Sequence, residues 1–338
     1  MLIICIKDPD SCRAESDPFN WVQPAMGNQI AKEREVNAEI KKLQELQELS
    51  GTEFPGSDYK PSTPNKEWMA SLDLDRVQVK NVLWPGTHDS ATNKIGIPLI
   101  SRPFAQCQTL SIYNQLCLGV RVLDIRVQET GRVCHGILNT YKLGVVIEDI
   151  QRFLSETRYE FIILEIRTAH QRFDPPDLDK YLIAQFEDLL VPQDKNVFDS
   201  SLKELLPHRV ICIWKPKDCP APSPGSSLFS SGFLTDDWID TDLPARKFDS
   251  NLQYLGRHEP NSVRKYFYRV ENTATPQITS CITCVYPVTN RIRRFARLFV
   301  SQAHKQGLLD RLQIFSTDFV DENFVNICVG VTMARHHL

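Results

Sequence analysis

No stretch of this 338-residue chain approaches the ~20 consecutive apolar residues that a membrane-spanning helix needs, so a protein that crosses a bilayer on a helix is not expected. The first residues, MLIICIKDPDSCR, hold too short an apolar run, and acidic residues too early, for a secretory signal. A soluble, cytoplasmic protein is the expectation. A charge excess of either sign is also missing, because 39 Lys and Arg face 42 Asp and Glu for a net charge of −3. No global field draws such a molecule to nucleic acid or anionic lipid; nucleic acid is not expected as a partner, and any attraction must be local. The pair Cys281-Ile-Thr-Cys284 lacks a second pair and a nearby His cluster, which argues against a zinc site. Among the ten cysteines, Cys134 and Cys212 lie inside apolar runs, where a free thiol behaves as a small buried hydrophobe. There is no internal repeat.

What is present is the composition of a folded protein with a sizeable core, 42% hydrophobic and 24% charged. Residues 28–49 are rich in helix formers and set Val36, Ile40, Leu43 and Leu46 at helical spacing. This narrow amphipathic stripe with mixed charges suits packing on the chain's own globular part or on a partner better than insertion into lipid. Residues 1–27 read as unstructured, and 51–65, full of Gly, Pro, Ser and Thr, as a linker. The expected division is therefore an appendage at 1–65 and a globular domain at 66–338.

Eight short apolar runs of strand character follow, at 81–85, 120–127, 132–135, 161–167, 209–215, 232–238, 265–271 and 311–318. Helix-length patterns lie between several of them, such as 142–156 and 177–190, and 220–229 reads as a surface loop. Eight strands interleaved with helices predict an α/β fold of the TIM-type (β/α)8 barrel class. Too few residues separate the second run from the third for a helical crossover, so the barrel is expected to be irregular there, with a hairpin-like excursion.

In such barrels the active site lies at the C-terminal ends of the strands. Six of the runs end in chemistry-bearing residues: His88-Asp89, Asp124-Ile-Arg126, His135, Glu165-Ile-Arg167, Lys215 and Asp318. Residues two apart on a strand face the same way, so Asp124 with Arg126, and Glu165 with Arg167, form same-side pairs. Polar pairs inside a barrel must be satisfied by each other or by a ligand. Taken singly, each has a structural reading: a capping turn at GTHDS, an ion pair at Asp124 and Arg126, a hydrogen-bonded buried imidazole at His135. Together, two imidazoles, an arginine and spare carboxylates are the groups needed to split a phosphodiester by acid–base catalysis. No metal or cofactor is required by that set.

The motifs PGTHDSAT, LGVRVLDIRV, VCHG, FIILEIR and STDF, in this order from about Trp68 to about Gly330, resemble the X domain of phosphatidylinositol-specific phospholipases C, in particular small proteins holding little else. The resemblance implies a phosphoric diester hydrolase acting on a phospholipid at a membrane surface. It implies His88 as the general base, with Asp318 as its orienting carboxylate, and His135 as the general acid, with Asp89 as its partner. Arg126 stands where metal-independent bacterial relatives have a catalytic arginine and calcium-dependent animal enzymes an acidic ligand. Arg167, too, is a cation where the calcium-dependent branch supplies a carboxylate. Calcium independence is therefore expected, since two fixed positive charges repel a divalent ion. Lys215 resembles a basic substrate contact; Asp124, Glu165 and Arg167 join it as expected substrate-binding residues. Trp238 and Tyr268 are candidates for reading the headgroup.

Two other readings stand beside the hydrolase: a catalytically inactive lipid or headgroup-binding protein on the same barrel, and a metal-dependent glycerophosphodiester hydrolase. The second would want a carboxylate cluster where this chain has an arginine. Finally, Met26-Gly27-Asn28-Gln29-Ile30-Ala31-Lys32 comes close to an N-myristoylation pattern for a start at Met26, although Ala31 replaces the preferred Ser or Thr. An ordinary Met-Gly before a helix is the plainer reading. A peripheral membrane location would follow from the acylated form.

Overall fold

Alternation along the strands sets the architecture, because successive side chains point to opposite faces and one face of each strand must be covered by helices. The computed structural model describes residues 26–62, 64–277 and 284–336; the expectations for residues 1–25 and for Cys281 fall outside them. The strands are β1 (Trp84–Thr87), β2 (Val122–Val127), β3 (Arg132–His135), β4 (Leu138–Lys142), β5 (Ile162–Thr168), β6 (Val210–Lys215), β7 (Leu234–Asp236), β8 (Phe267–Asn272) and β9 (Ile314–Thr317). The helices are α1 (Met26–Ser50), α2 (Ile112–Leu118), α3 (Leu143–Glu156), α4 (Leu178–Phe186), α5 (Leu202–Leu205), α6 (Pro244–Leu255), α7 (Val285–Arg293), α8 (Ala296–Lys305) and α9 (Glu322–His336).

The parallel strands run in the order β6-β5-β2-β1-β9-β8-β7, a curled α/β barrel sheet as expected, left open between β6 and β7 among the described residues. One expectation needs correction. The run 132–135 is not a barrel strand: β3 pairs antiparallel with the end of β2 (Val127 with Val133) and then with β4, which the sequence reading missed. A connection this short can only reverse direction, so the parallel strands do not reach eight, and the hairpin-like excursion expected here stands at the barrel mouth carrying His135. Across the open edge, Phe229 bridges to Ile213, and Leu228 and Phe229 are buried. The tract 220–229 thus turns inward at its end instead of staying on the surface.

Helix α3 shows how the outer layer forms. Val146, Ile147, Ile150, Phe153 and Leu154 recur at helical spacing and are all buried. At the opposite end of the barrel the short helix Asn65–Ser71 brings in Trp68, whose Nε1 donates to the Gly119 carbonyl, while Glu160 accepts from the amides of Met69 and Ala70. The described part of the expected linker is laid down firmly: Phe54 is buried, and Gly56, at φ +84°, passes so close to Gly330 that a Cβ there would collide with its carbonyl. Helix α1 lies along α6, with Val36 and Leu43 buried and Ile40 and Leu46 half-buried against the core. No helix among the described residues is long and apolar enough to cross a membrane.

Candidate active site

The turn after β1 is built by its own hydroxyls. At Gly86 a Cβ would lie 2.4 Å from Ser316 Oγ on β9, so any side chain there would have to displace Ser316. Thr87 Oγ1 donates to Gln115 Oε1 (2.8 Å), Ser90 Oγ accepts from the Asp124 amide (2.8 Å), and Thr92 Oγ1 donates to the Asp89 carbonyl (2.8 Å). Held this way, Asp89 adopts φ +43°; Phe319, after β9, adopts φ +46°. Such left-handed backbone costs a non-glycine residue about 1–2 kcal/mol. Gln108 ties the two strand ends together, its Nε2 donating to the carbonyls of His88 (3.1 Å) and Thr317 (2.9 Å).

His88 and Asp318 meet across this clamp. His88 Nδ1 lies 2.8 Å from Asp318 Oδ1, and Thr289 Oγ1 donates to Asp318 Oδ2 (3.0 Å). His88 Nε2 lies 2.8 Å from Arg126 Nη2 and 3.3 Å from Asp89 Oδ2. The first contact suits a neutral ring with its proton on Nδ1; the second suits an imidazolium. Burial works against the charged ring, but Asp89 and Asp318 outweigh it and raise the His88 pKa to about 9. Asp89 is the hub. Its Oδ1 sits 2.9 Å from Arg126 Nε and its Oδ2 3.4 Å from His135 Nε2. His135 Nδ1 is 2.8 Å from the Ala105 carbonyl, which fixes a proton on that nitrogen, and the two imidazole centroids are 6.4 Å apart.

Register decides the electrostatics. Asp124 on β2 pairs with Glu165 on β5, and one step nearer the mouth Arg126 pairs with Arg167, which pairs with Lys215 on β6. The result is a layer of three cations above a layer of fully buried carboxylates. Arg126 Nη2 reaches Asp124 Oδ2 (3.3 Å), Arg167 Nη2 donates to Glu165 Oε1 (2.5 Å), and Lys215 Nζ reaches the same oxygen (2.8 Å). Burial opposes charge on Asp124, yet Arg126, Arg167 and Arg269 hold it well below the usual carboxylate range; Arg269 and Arg167 lower Glu165 against the same opposition. Asp124 and Glu165 therefore face cations, with Arg126, Arg167 and Lys215 standing between them and the mouth.

Trp238, 44% exposed, stacks on His88 with centroids 5.3 Å apart. Tyr268 lies elsewhere. It shares β8 with Arg269 but points to the opposite face, where it donates to Asp237 Oδ2 (2.9 Å) and stacks on His258. Against expectation, Tyr268 therefore does not face the site where a headgroup would lie.

The structure adds Arg269, Asp236, Glu271 and Lys247, none of which the sequence reading named. Arg269 donates to Glu165 Oε2 (2.5 Å) and Asp236 Oδ2 (2.7 Å), and its Nε pairs with Glu271 Oε1 (2.7 Å). Arg269-Val-Glu271 repeats the spacing of Asp124-Ile-Arg126, so a signal was available. Lys247 comes from a helix, where no strand-end rule reaches. Among the described residues, ligand atoms of three sets lie within 4.8 Å of one another: His88, Asp89 and Asp124; Asp89, Cys107 and His135; and His88, Cys107 and Asp318. The first two include Asp89, already engaged by Arg126, and in the third His88 Nε2 lies 2.8 Å from Arg126 Nη2, so a metal ion in any of them would sit close to a guanidinium.

Residues 83–215 match the family model of the phosphatidylinositol-specific phospholipase C X domain. A 1-phosphatidylinositol phosphodiesterase of Listeria monocytogenes is 34% identical over 120 residues, covering 35% of this chain and 38% of that protein. A PI-PLC X-box domain-containing protein of Dictyostelium discoideum is 29% identical over 153 residues, covering 40% of this chain and 21% of that protein. The chain thus spans less than two fifths of the length of either curated relative. Among solved structures, the phosphatidylinositol-specific phospholipase C of Listeria monocytogenes superposes with a TM-score of 0.64 at 20% identity, covering 80% of this chain and 99% of that one. A Staphylococcus aureus phosphatidylinositol-specific phospholipase C gives 0.61 at 17% identity, covering 79% and 97%. Residues 83–215 therefore match the X domain of the phosphatidylinositol-specific phospholipase C family, and the chain shares the barrel fold of the bacterial enzymes.

Proposed function

We propose that the chain is a phosphoric diester hydrolase of the phospholipase C type that cleaves a phosphoinositide or related phospholipid without a metal ion. The observation that carries this reading is the convergence of His88, His135 and Arg126 on one carboxylate, Asp89, at the barrel mouth. His88 Nε2 takes the proton of the attacking headgroup hydroxyl, whose oxygen forms a bond to phosphorus. His135 gives a proton to the departing diacylglycerol oxygen as its bond to phosphorus breaks. Arg126 neutralises charge growing on the phosphoryl oxygens, helped by the adjacent cations of Arg167 and Lys215. Asp318 keeps the His88 proton on Nδ1, as a carboxylate does for other catalytic imidazoles.

Peripheral contact with a lipid surface fits the same mouth. The loop whose Ala105 carbonyl holds His135 also exposes Ile97, Leu99 (95% exposed), Ile100 and Phe104, and Ile137 is exposed on the neighbouring hairpin. The test is turnover of a phospholipid panel by the purified protein, beside His88→Ala and His135→Ala. Each variant is expected to lose at least roughly 10²-fold, the usual worth of an acid–base group. A folded variant with near-wild-type turnover overturns the assignment.

A further inference from the structure

Helix α6 begins without a cap of its own. The residue before its first turn is Leu243, whose side chain can accept nothing, and Pro244 follows. The missing acceptor comes from another helix: Glu39 Oε2 on α1 accepts from the amides of Ala245 (2.9 Å) and Arg246 (3.2 Å). A carboxylate at this end also suits the helix dipole. Beside it, Lys32 Nζ pairs with the buried Asp242 (2.9 Å), and further along Lys42 Nζ donates to Asp249 (2.7 Å). With Leu43 fully buried, α1 is fastened to α6 from its start to its middle.

The first turns of α6 carry Lys247 inward. Its side chain is fully buried; Nζ donates to the Ile239 carbonyl (3.1 Å) and lies 4.5 Å from the ring centre of Trp238. Trp238 in turn stacks on His88. A continuous set of contacts therefore joins a helix outside the barrel to the imidazole at its mouth.

We propose that α1 is a positioning element for the site: Glu39 and Lys32 set the start of α6, α6 sets Lys247, Lys247 holds Trp238, and Trp238 holds the His88 ring. The catalytic part of this inference rests on the function proposed above, and Glu39 acts only through α6.

The test compares, in the full chain, wild type, Glu39→Ala, Glu39→Gln, Lys247→Met and the double variant Glu39→Ala/Lys247→Met. The indole N–H resonances are recorded by NMR, with Trp238 assigned by its loss in Trp238→Phe. Glu39→Ala is expected to shift the Trp238 resonance while leaving those of the buried Trp68, Trp84 and Trp214 in place. Glu39→Gln, whose amide oxygen still accepts from the α6 amides, restores it. On the best phospholipid substrate Glu39→Ala lowers kcat roughly 5-fold, the size of a lost helix cap passed on to the transition state, with little change in KM. In the double variant Glu39→Ala adds nothing to the loss caused by Lys247→Met. An unmoved Trp238 resonance in a folded Glu39→Ala protein, or losses that multiply in the double variant, overturns the proposal. Should Glu39→Ala not fold, Lys32→Met is measured in its place and judged by the same outcomes. A wild-type protein inert on every phospholipid defeats the catalytic reading, while the Trp238 resonance still decides the relay.

Discussion

Replacing Asp318 by Asn removes a negative charge 2.8 Å from His88 Nδ1 at almost constant size. In the folded protein burial depresses the charged ring, but Asp89 and Asp318 raise it from 6.5 to about 9, and Asp318 contributes both its charge and its hydrogen bond. A proton held more tightly folded than unfolded stabilises the fold fully below pH 6.5 and ceases to do so as the pH rises through about 9. The free energy of that difference is about 3 kcal/mol. Asp318→Asn is therefore expected to lose up to about 3 kcal/mol of stability at pH 6 and much less at pH 10, read from urea unfolding at the two values. Activity carries the second readout. A base must be unprotonated, so wild-type kcat/KM is expected to rise with pH up to about 9. In Asp318→Asn this limb moves to lower pH, and its plateau falls by roughly 10²–10⁴-fold because the proton is no longer kept on Nδ1. A stability loss equal at pH 6 and pH 10, together with an unmoved acid limb, would refute the reasoning.

Three further outcomes follow from the same geometry. Turnover should survive a calcium chelator, because Arg126 and Arg167 occupy the space where a divalent ion would need oxygen ligands; loss with EDTA and recovery with calcium would contradict this. Arg126→Lys should lower turnover by roughly 10²-fold, since an ammonium cannot serve Asp89, Asp124 and His88 at once as the planar fork does; kinetics on the best substrate decides. Arg121→Met, at the far end of the barrel, should cost about 3–5 kcal/mol by leaving the buried Glu160 without its cation, with KM unchanged; denaturant titration beside steady-state kinetics checks both.

Much of the fold and of the candidate site was legible in the sequence where the governing geometry is local. A strand has a period of two, so Asp124 with Arg126 and Glu165 with Arg167 could be read as same-side pairs, and apolar runs ending in His88, Lys215 and Asp318 could be read as strands delivering polar groups to one end. The same rule, applied to Arg269 and Glu271, would have reached them as well. Residues outside its reach stayed hidden. Lys247 arrives on a helix and Gln108 on a loop, and neither position carries a periodic signal.

The sequence by itself determined the α/β alternation, the polar strand ends and the stripe of α1, because each depends on dihedral periodicity within a few residues. Only the tertiary structure decided that the hairpin expected after β2 pairs onward with β4, that Arg126, Arg167 and Lys215 fall into one layer, that Tyr268 faces outward, and that Glu39 caps a helix 206 residues away. Those outcomes depend on which strands become neighbours and in what register, and neighbours are chosen by burial of the whole core against the entropy of closing long loops.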